Sequence, residues 1–436
     1  MVNVAKVFST LGNPNSLIPL AVKDISATAG MTAGSFVTGK EEGQDRFIDE
    51  VGTQAIWLLG IPTFKALFNN TAFRAIGLDY NFDARNLKDK EVLSKIKEHA
   101  PNEKVKSNIE KIISKEKLFK NTATAKFFVA TGLTVASYIG LTKFKQNYTE
   151  KKIKANLIAE YEKNKALKET ETEKEQSKEI SFKGLGNIVE SFAFSPVKNM
   201  WILDGFITGE RLKDSRSPQE FVGYGIKEAS TLFFMYYAGG KIQNLLEEEA
   251  KKKHNKSISL DARVIEDGFL KKAFEDSSIQ KSLEEFKAAN TSKASLYEFL
   301  HKNPDNLVVQ TAKMSDIIEM YKEPQGLFKK AKVTNKIDTR KYIDLNEVEN
   351  INKKLEELYL QFQKAKAKGE TSEQFFNGVK KLKRNSIVTN IGTCIFALGI
   401  ATPALMLAKR LAGKDDAEFQ TKKEIRAQLI KEGIIA

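Results

Sequence analysis

Cysteine, histidine and tryptophan are scarce in this chain, whose 436 residues include one cysteine, three histidines and two tryptophans. A single cysteine excludes an intramolecular disulfide and any zinc site built from several thiolates. That residue, Cys394, lies within an apolar run, which predicts a buried and unreactive thiol. The histidines, His99, His254 and His301, stand apart in polar contexts. They are expected to face solvent, and no metal site is predicted.

Motifs of catalysis and nucleotide binding are also missing. The sequence contains no Gly-x-Ser-x-Gly elbow and no His-Glu-x-x-His. The stretch "GSFVTGKEE", residues 34–42, has the glycine and lysine spacing of a phosphate-binding loop. However, Glu41 stands where such a loop needs a hydroxyl for Mg²⁺, and its carboxylate would repel phosphate. We expect no enzymatic activity and no cofactor, and the sequence identifies no small-molecule substrate.

Arginine accounts for only ten of the seventy basic residues, although the net charge is +14. Sequence-specific nucleic-acid recognition favours arginine, and no helix-turn-helix, zinc-finger or RNP motif is present, so this function is not expected. The lysines are interleaved with acids, which favours general attraction to an anionic membrane surface. The N-terminal "MVNVAKVFSTLGNPNS" lacks the regions of a cleavable secretory signal, so export by cleavage is not expected.

Two long uncharged runs indicate membrane helices. Residues 385–408 form a run of about 24 residues, enough for a helix to cross a hydrocarbon core of about 30 Å. Its counterpart, 127–142, is marginal in length, and burial in a soluble helical bundle is the alternative. Each run carries small residues at every fourth position, as membrane helices do where they pack closely: Thr393, Ala397 and Ala401 in the first, and Gly132, Ala136 and Gly140 in the second.

Two further apolar stretches, 51–64 and 221–240, are shorter or interrupted by charge, and are expected to be interfacial or re-entrant. Glycine and proline at 60–62 and the glycines at 239–240 predict helix breaks. An approximate alignment of the two stretches sets Gln54 opposite Glu228. Polar groups at membrane depth often mark a transport path, but an interfacial position in water is the preferred interpretation.

An internal duplication is predicted from matched segments that keep the same order. The sequence "LGN" occurs at 11–13 and 185–187, and 127–143 aligns without a gap to 394–410. The order predicts two divergent copies, over about 4–150 and 181–412. The match "FVTG" and "FITG" is interpreted as a repeated turn with positive-φ glycines and buried phenylalanines, whose defining residues are Phe36, Thr38, Gly39, Phe206, Thr208 and Gly209.

The segments between the apolar runs predict helices. Apolar stripes on both sides of Ala100-Pro101 indicate a helical hairpin. Capping-box spacing occurs at Ser295 to Glu298 and at Thr371 to Gln374. A heptad-like stripe predicts a packing face, or a short coiled coil with a partner, and consists of Val348, Ile351, Leu355, Leu358, Phe362 and Ala365.

These features together predict an all-α membrane protein. Its expected parts are a first repeat unit over 1–150 with apolar segments 51–64 and 127–142, a charged helical or disordered linker over 151–180, the start of a second repeat over 181–240, a helical extramembrane domain over 241–384, and a membrane-type helix with a basic tail over 385–436. The expected role is structural or interactive: basic arms bind anionic membrane lipid or a protein partner, the latter through helices of 261–384. The alternatives are a transporter or channel built from two repeats, and a soluble helical scaffold that buries its apolar segments.

Overall fold

The computed structural model describes residues 4–13, 16–165, 196–215, 218–323, 331–412 and 420–435. Half of the predicted linker and the second "LGN" copy, 185–187, lie outside the described residues. The described chain is predominantly helical, as the sequence predicts.

The α-helices, in chain order, are α1 (Val4–Leu11), α2 (Ile18–Thr38), α3 (Lys40–Phe68), α4 (Arg74–Ile76), α5 (Lys90–Glu98), α6 (Glu103–Ser114), α7 (Glu116–Lys165), α8 (Pro196–Lys213), α9 (Pro218–Leu232), α10 (Gly239–His254), α11 (Ala262–Asp267), α12 (Phe269–Glu275), α13 (Ser278–Ala289), α14 (Lys293–Lys302), α15 (Leu307–Met314), α16 (Leu345–Ala367), α17 (Ser372–Phe396), α18 (Thr402–Ala412) and α19 (Gln420–Lys431). Short π-helical segments lie at Asn69–Phe73, Phe233–Ala238 and Ala397–Ala401, and a 3₁₀ turn at Ala84–Leu87.

A small β-hairpin departs from the all-α expectation. Strands β1 (Met320–Glu323) and β2 (Lys332–Ile337) pair antiparallel, with Glu323 opposite Lys332 and Met320 opposite Ile337. The alternating "KVTNKI" of β2 is a strand pattern, but it is too short to stand out in a lysine-rich helical sequence.

The chain divides into two compact units. Unit 1 comprises Met1–Pro19, Leu67–Lys126 and Gly239–Ile391, and unit 2 comprises Leu20–Ala66, Phe127–Ala238 and Gly392–Ala436. Each unit therefore draws on both halves of the chain. The duplication inferred from sequence stays a prediction, since these compact units do not coincide with its two copies.

Local signals in unit 1 were mostly correct. The predicted hairpin is present as α5 and α6, and Asn102 caps α6 by accepting a hydrogen bond from the Val105 N–H. At Thr371 and Gln374 the reciprocal backbone bonds of a capping box are both formed. The box predicted from Ser295 is wrong. Helix α14 begins one turn earlier, where Ser292 accepts from the Ser295 N–H.

The core of unit 1 is apolar and aromatic. All six residues of the heptad-like stripe on α16 are buried, so the stripe is a packing face within this unit. Phe362 lies at its centre, with its ring 5.4 Å from the Phe375 ring and 5.6 Å from the Phe274 ring, centroid to centroid. Edge-on aromatic contacts of this kind add to the free energy gained from apolar burial.

The predicted helix breaks do not occur. Helix α3 continues through Gly60 and Pro62, and the helical chain continues from α9 through a π-helical segment into α10 at Gly239. Segments 51–64 and 221–240 are therefore parts of long helices and not re-entrant loops. A proline inside a helix removes one backbone hydrogen bond, and because Pro62 is exposed, packing within the chain does not explain how α3 tolerates it.

Helices of unit 2 approach one another closely at glycines. A Cβ atom built on Gly30 of α2 would lie 2.1 Å from the carbonyl oxygen of Gly399, so the two backbones are in direct contact. On α3, a Cβ on Gly60 would lie 2.7 Å from Cγ2 of Thr134 on α7. Glycine is required where backbones meet this closely.

Three helical segments among the described residues are long and apolar enough to cross a membrane: Lys40–Ile76, Glu116–Glu162 and Ser372–Ala408. Only 11%, 33% and 33% of their most apolar windows, respectively, are buried by the rest of the chain. Most residues of these windows are therefore exposed or only partly buried. Cys394 in the third segment is buried, as predicted.

Candidate functional site

Unit 2 encloses a group of charged side chains contributed by four helices. Helix α3 places Asp45 and Asp49 on one face and Arg46 and Glu50 on the adjacent one, because residues four apart share a helix face. The other members are Lys145 of α7, Arg211 of α8, and Lys227 and Glu228 of α9. These eight residues are called the charge cluster, and seven of them are buried, Arg46 being partly exposed.

Arg211 is the centre of the charge cluster and is only 2% exposed. Its guanidinium forms an ion pair with Glu228 and lies 3.4 Å from Oδ2 of Asp49. It also donates hydrogen bonds to the Tyr138 hydroxyl at 2.9 Å and to Oγ1 of Thr53 at 3.0 Å. The planar fork of an arginine can serve several acceptors at once, which a lysine ammonium cannot do in the same geometry.

The two lysines join the same carboxylates from other directions. Lys227 Nζ lies 2.9 Å from Glu228 and 3.2 Å from Glu50. Lys145 Nζ donates to the Tyr224 hydroxyl at 3.1 Å and lies 3.8 Å from Asp49. The members therefore form one connected network of charges.

Formal charge balances within the charge cluster: Asp45, Asp49, Glu50 and Glu228 face Arg46, Lys145, Arg211 and Lys227, four acids against four bases. Burial alone would raise the pKa of Glu228, but the adjacent Lys227 and Arg211 cations outweigh it and lower the pKa to about 2. Buried charges are tolerated when they are paired and hydrogen-bonded. The network can fix the positions of the four helices relative to one another.

Several buried polar atoms of unit 2 have no hydrogen-bond partner within the described part of the chain. They include Oδ1 of Asp49, Nε2 of Gln54 and both amide atoms of Asn199. Buried polar atoms are almost always satisfied by protein, water or an ion. The interior of unit 2 therefore contains further buried polar groups besides the ion pairs of the charge cluster.

The sequence pointed to this region through Gln54 and Glu228 but missed most of the charge cluster. Glu228 belongs to it, and Gln54 directly follows Thr53, which accepts from Arg211. The interfacial interpretation in water is wrong for Glu228, which is buried. The missed signal is the four-residue spacing of Asp45 and Asp49, which directly precede the uncharged stretch 51–64 within α3.

The repeated motif does not form a turn in both copies. The first copy ends α2 and precedes α3, whereas the second lies inside α8. Neither glycine has a positive φ, and both phenylalanines are exposed, Phe36 by 46%. The second copy is helical because the residues on both sides of it belong to the same helix, α8. The correction applies to Phe36, Thr38, Gly39, Phe206, Thr208 and Gly209.

The predicted small-residue faces are not where the described helices meet. Gly132, Ala136 and Gly140 are exposed on α7. Thr393 on α17 and Ala401 in the π-helical segment after it are also exposed, while Ala397 is buried. The close contact at Gly30 had its own signal, because Ser26, Gly30 and Gly34 recur at four-residue intervals in "SATAGMTAG". This stretch contains no long apolar run, so its sequence does not resemble that of a membrane helix.

The histidine prediction needs one correction. His254 is exposed, as expected. His99 and His301, however, are partly buried in unit 1 and stack with ring centroids 4.5 Å apart. They are separated by 202 positions along the chain, so their proximity could not be predicted from the sequence.

No family model matches this chain, and comparisons with curated proteins and with solved structures likewise give no match.

Proposed function

We propose that this chain is a non-enzymatic, membrane-embedded helical protein with a structural or interaction role. The observation that carries this proposal is the exposure of its most apolar helices. At least two thirds of the residues in each candidate spanning window are not buried by the rest of the chain. Exposed apolar surface costs about 25 cal/mol per Å² in water, a cost that lipid removes.

Individual side chains illustrate the exposure. Leu59 on α3, Phe128 on α7 and Ile400 beyond α17 are each more than half exposed. A soluble scaffold would turn such residues inward, and the heptad-like stripe of α16 in unit 1 does so. The soluble alternative is therefore the least supported of the three.

The charge cluster fits a membrane setting as a connector between helices. Apolar helices gain little from contacting one another in lipid, so polar pairs and close backbone contacts hold them together. The charge cluster provides the polar pairs, and Gly30 with Gly399 provides a backbone contact.

The basic helices are proposed to bind anionic lipid or a protein partner, the latter through 261–384. Not every lysine is available for this role. Lys380, Lys383 and Arg384, which precede the apolar run 385–408, donate within unit 1 to Glu266 and to the Ile258 carbonyl. Lipid attraction should then come from exposed lysines such as Lys381.

Fractionation of cells that express the full chain tests the proposal. We expect the protein to resist alkaline carbonate and to require detergent, because exposed apolar helices partition into lipid. Recovery as a monodisperse soluble species would contradict it. Binding of purified protein to vesicles should then increase with phosphatidylserine content and decrease with salt.

A transporter or channel is the second candidate, and the charge cluster is what favours it. Buried ionisable residues beside membrane helices commonly mark ion or substrate paths. The unpartnered atoms of Asp49 and Gln54 add polar capacity at the same place. In proteoliposomes that contain the protein, ion flux along an imposed gradient, lost in the Glu228→Gln variant, would establish this function.

Ion flux no greater than that of empty liposomes would support the structural role instead.

A further inference from the structure

Unit 1 contains a group of metal-ligating side chains outside the charge cluster. Glu98 ends α5, His99 directly follows it, and Glu298 lies on α14, which packs against α5. One ligand atom from each of these three residues lies within 4.8 Å of the other two. Two helices from distant parts of the sequence thus bring an imidazole and two carboxylates together.

The imidazole rings of His99 and His301 each have a ring nitrogen without a hydrogen-bond partner among the described residues. His99 stacks on His301, with the ring planes 14° apart. The Nε2 atoms of both are buried and have no hydrogen-bond partner within the described residues. Buried polar atoms without a partner indicate water or an ion, so this observation points to a ligand independently of the carboxylates.

A cation already lies between the two carboxylates. Lys95 Nζ is 2.9 Å from Oε2 of Glu98 and 2.8 Å from Oε2 of Glu298. Lys302 also pairs with Glu298, through the other carboxylate oxygen. The Lys95 side chain is partly exposed and can rotate into solvent. The spacing of the two carboxylates therefore allows one cation to bridge them. The Lys95 ammonium that now does so can move away.

We propose that Glu98, His99 and Glu298 bind a divalent transition metal of the Zn²⁺ class, with Lys95 as the competing cation. An imidazole with carboxylates suits zinc, whereas calcium and magnesium prefer oxygen ligands alone. Bonds of about 2.0–2.2 Å require the ligand atoms to draw closer by roughly 1 Å, which rotation of the glutamate side chains supplies. Two carboxylates also neutralise the added double charge.

Zinc binding to the full-length, chelator-stripped protein in detergent tests this site, with competition against a chromophoric zinc chelator as the readout. We expect one saturable site. His99→Gln and Glu298→Gln should each weaken binding by at least about tenfold, because each removes a ligand. His254→Gln, which changes an exposed histidine elsewhere in unit 1, is the matched control and should leave the affinity unchanged.

Lys95→Met is the sharper variant, because it removes the competing ammonium and should tighten zinc binding several-fold. A misfolded protein would not gain affinity, so this outcome separates the site from damage to the fold. The proposal is overturned if wild type and Lys95→Met both fail to bind zinc. It is equally overturned if His99→Gln binds as tightly as wild type, or if Lys95→Met does not tighten binding.

Discussion

Different interactions stabilise the interior of each unit. The centre of unit 1 is a set of packed rings around Phe362, and ion pairs such as Lys287 with Glu356 lie at its surface. In unit 2 this arrangement is reversed. Ion pairs around Arg211 are buried, while apolar side chains such as Ile400 are exposed.

The proposed membrane location of unit 2 accounts for this difference. In water, burial of apolar surface is the dominant favourable contribution to folding, and unit 1 uses it. Between helices in lipid that contribution is absent, and polar or backbone contacts take over. The contrast therefore predicts that the same kind of substitution has different effects in the two units.

Loss of the central arginine should have the largest effect. Arg211→Met leaves Glu228, Asp49 and Glu50 short of one buried cation, and we expect destabilisation near the upper end of about 3–5 kcal/mol. Thermal unfolding in detergent measures it. Adding Glu228→Gln restores formal neutrality and should recover part of the loss. The control Lys213→Met changes an exposed cation, and a loss comparable to that of Arg211→Met would contradict a special role for the charge cluster.

Truncation of the aromatic centre of unit 1 should rank next. Phe362→Ala creates a cavity among rings that can partly collapse, so we expect a loss near the lower end of about 3–5 kcal/mol. Leu360→Ala, two positions away and 54% exposed, is the control and should change stability by less than about 0.5 kcal/mol. Similar losses in both variants would mean that α16 has no distinct packing face.

Glycine substitutions distinguish the real helix contact from the predicted one. Gly30→Ala forces α2 away from the Gly399 carbonyl and should cost about 1–3 kcal/mol. Gly132→Ala meets open space in the structure, and should be neutral or stabilising by up to about 1 kcal/mol. The opposite ranking, read from unfolding in detergent, would restore the face that the sequence suggested.

The smallest effect is expected in the repeated motif. Gly209 lies inside α8 with no atom within 4 Å of an added Cβ, so Gly209→Ala should stabilise by roughly 0.5–1 kcal/mol through helix propensity. A turn with positive φ would instead be destabilised by about 1–2 kcal/mol. The sign of the change in unfolding temperature decides between a helix and a turn.

Local and periodic features were predictable from sequence. The stripe on α16, the hairpin of α5 and α6 and the cap at Thr371 depend on residues a few positions apart, which sequence reasoning compares directly. The apolar windows around 127–142 and 385–408 were also predicted, because length and composition alone define them, whereas 51–64, which lies within Lys40–Ile76, was expected to be interfacial or re-entrant.

Features that depend on distant residues were not predictable. Arg211 meets Asp49 across 162 positions, and no pattern near either residue predicts the pair. The helix breaks predicted at Pro62 and Gly239 are wrong, although both residue types favour helix ends. Gly239 is buried, so packing can override its preference, whereas Pro62 is exposed and packing within the chain does not explain its position inside α3. The histidine pair was missed for the same reason as the charge cluster.

The most direct test of the account compares two equally exposed apolar positions, one in each unit. Ile400 in unit 2 is 57% exposed and Leu360 in unit 1 is 54% exposed. In a Cys394→Ala background, the Ile400→Cys and Leu360→Cys variants are treated with a charged maleimide. The membranes are first permeabilised so that the reagent reaches both faces. We predict that Leu360→Cys reacts readily, and that Ile400→Cys reacts only after denaturation because lipid covers it. Equal labelling of both before denaturation would contradict the membrane location of unit 2.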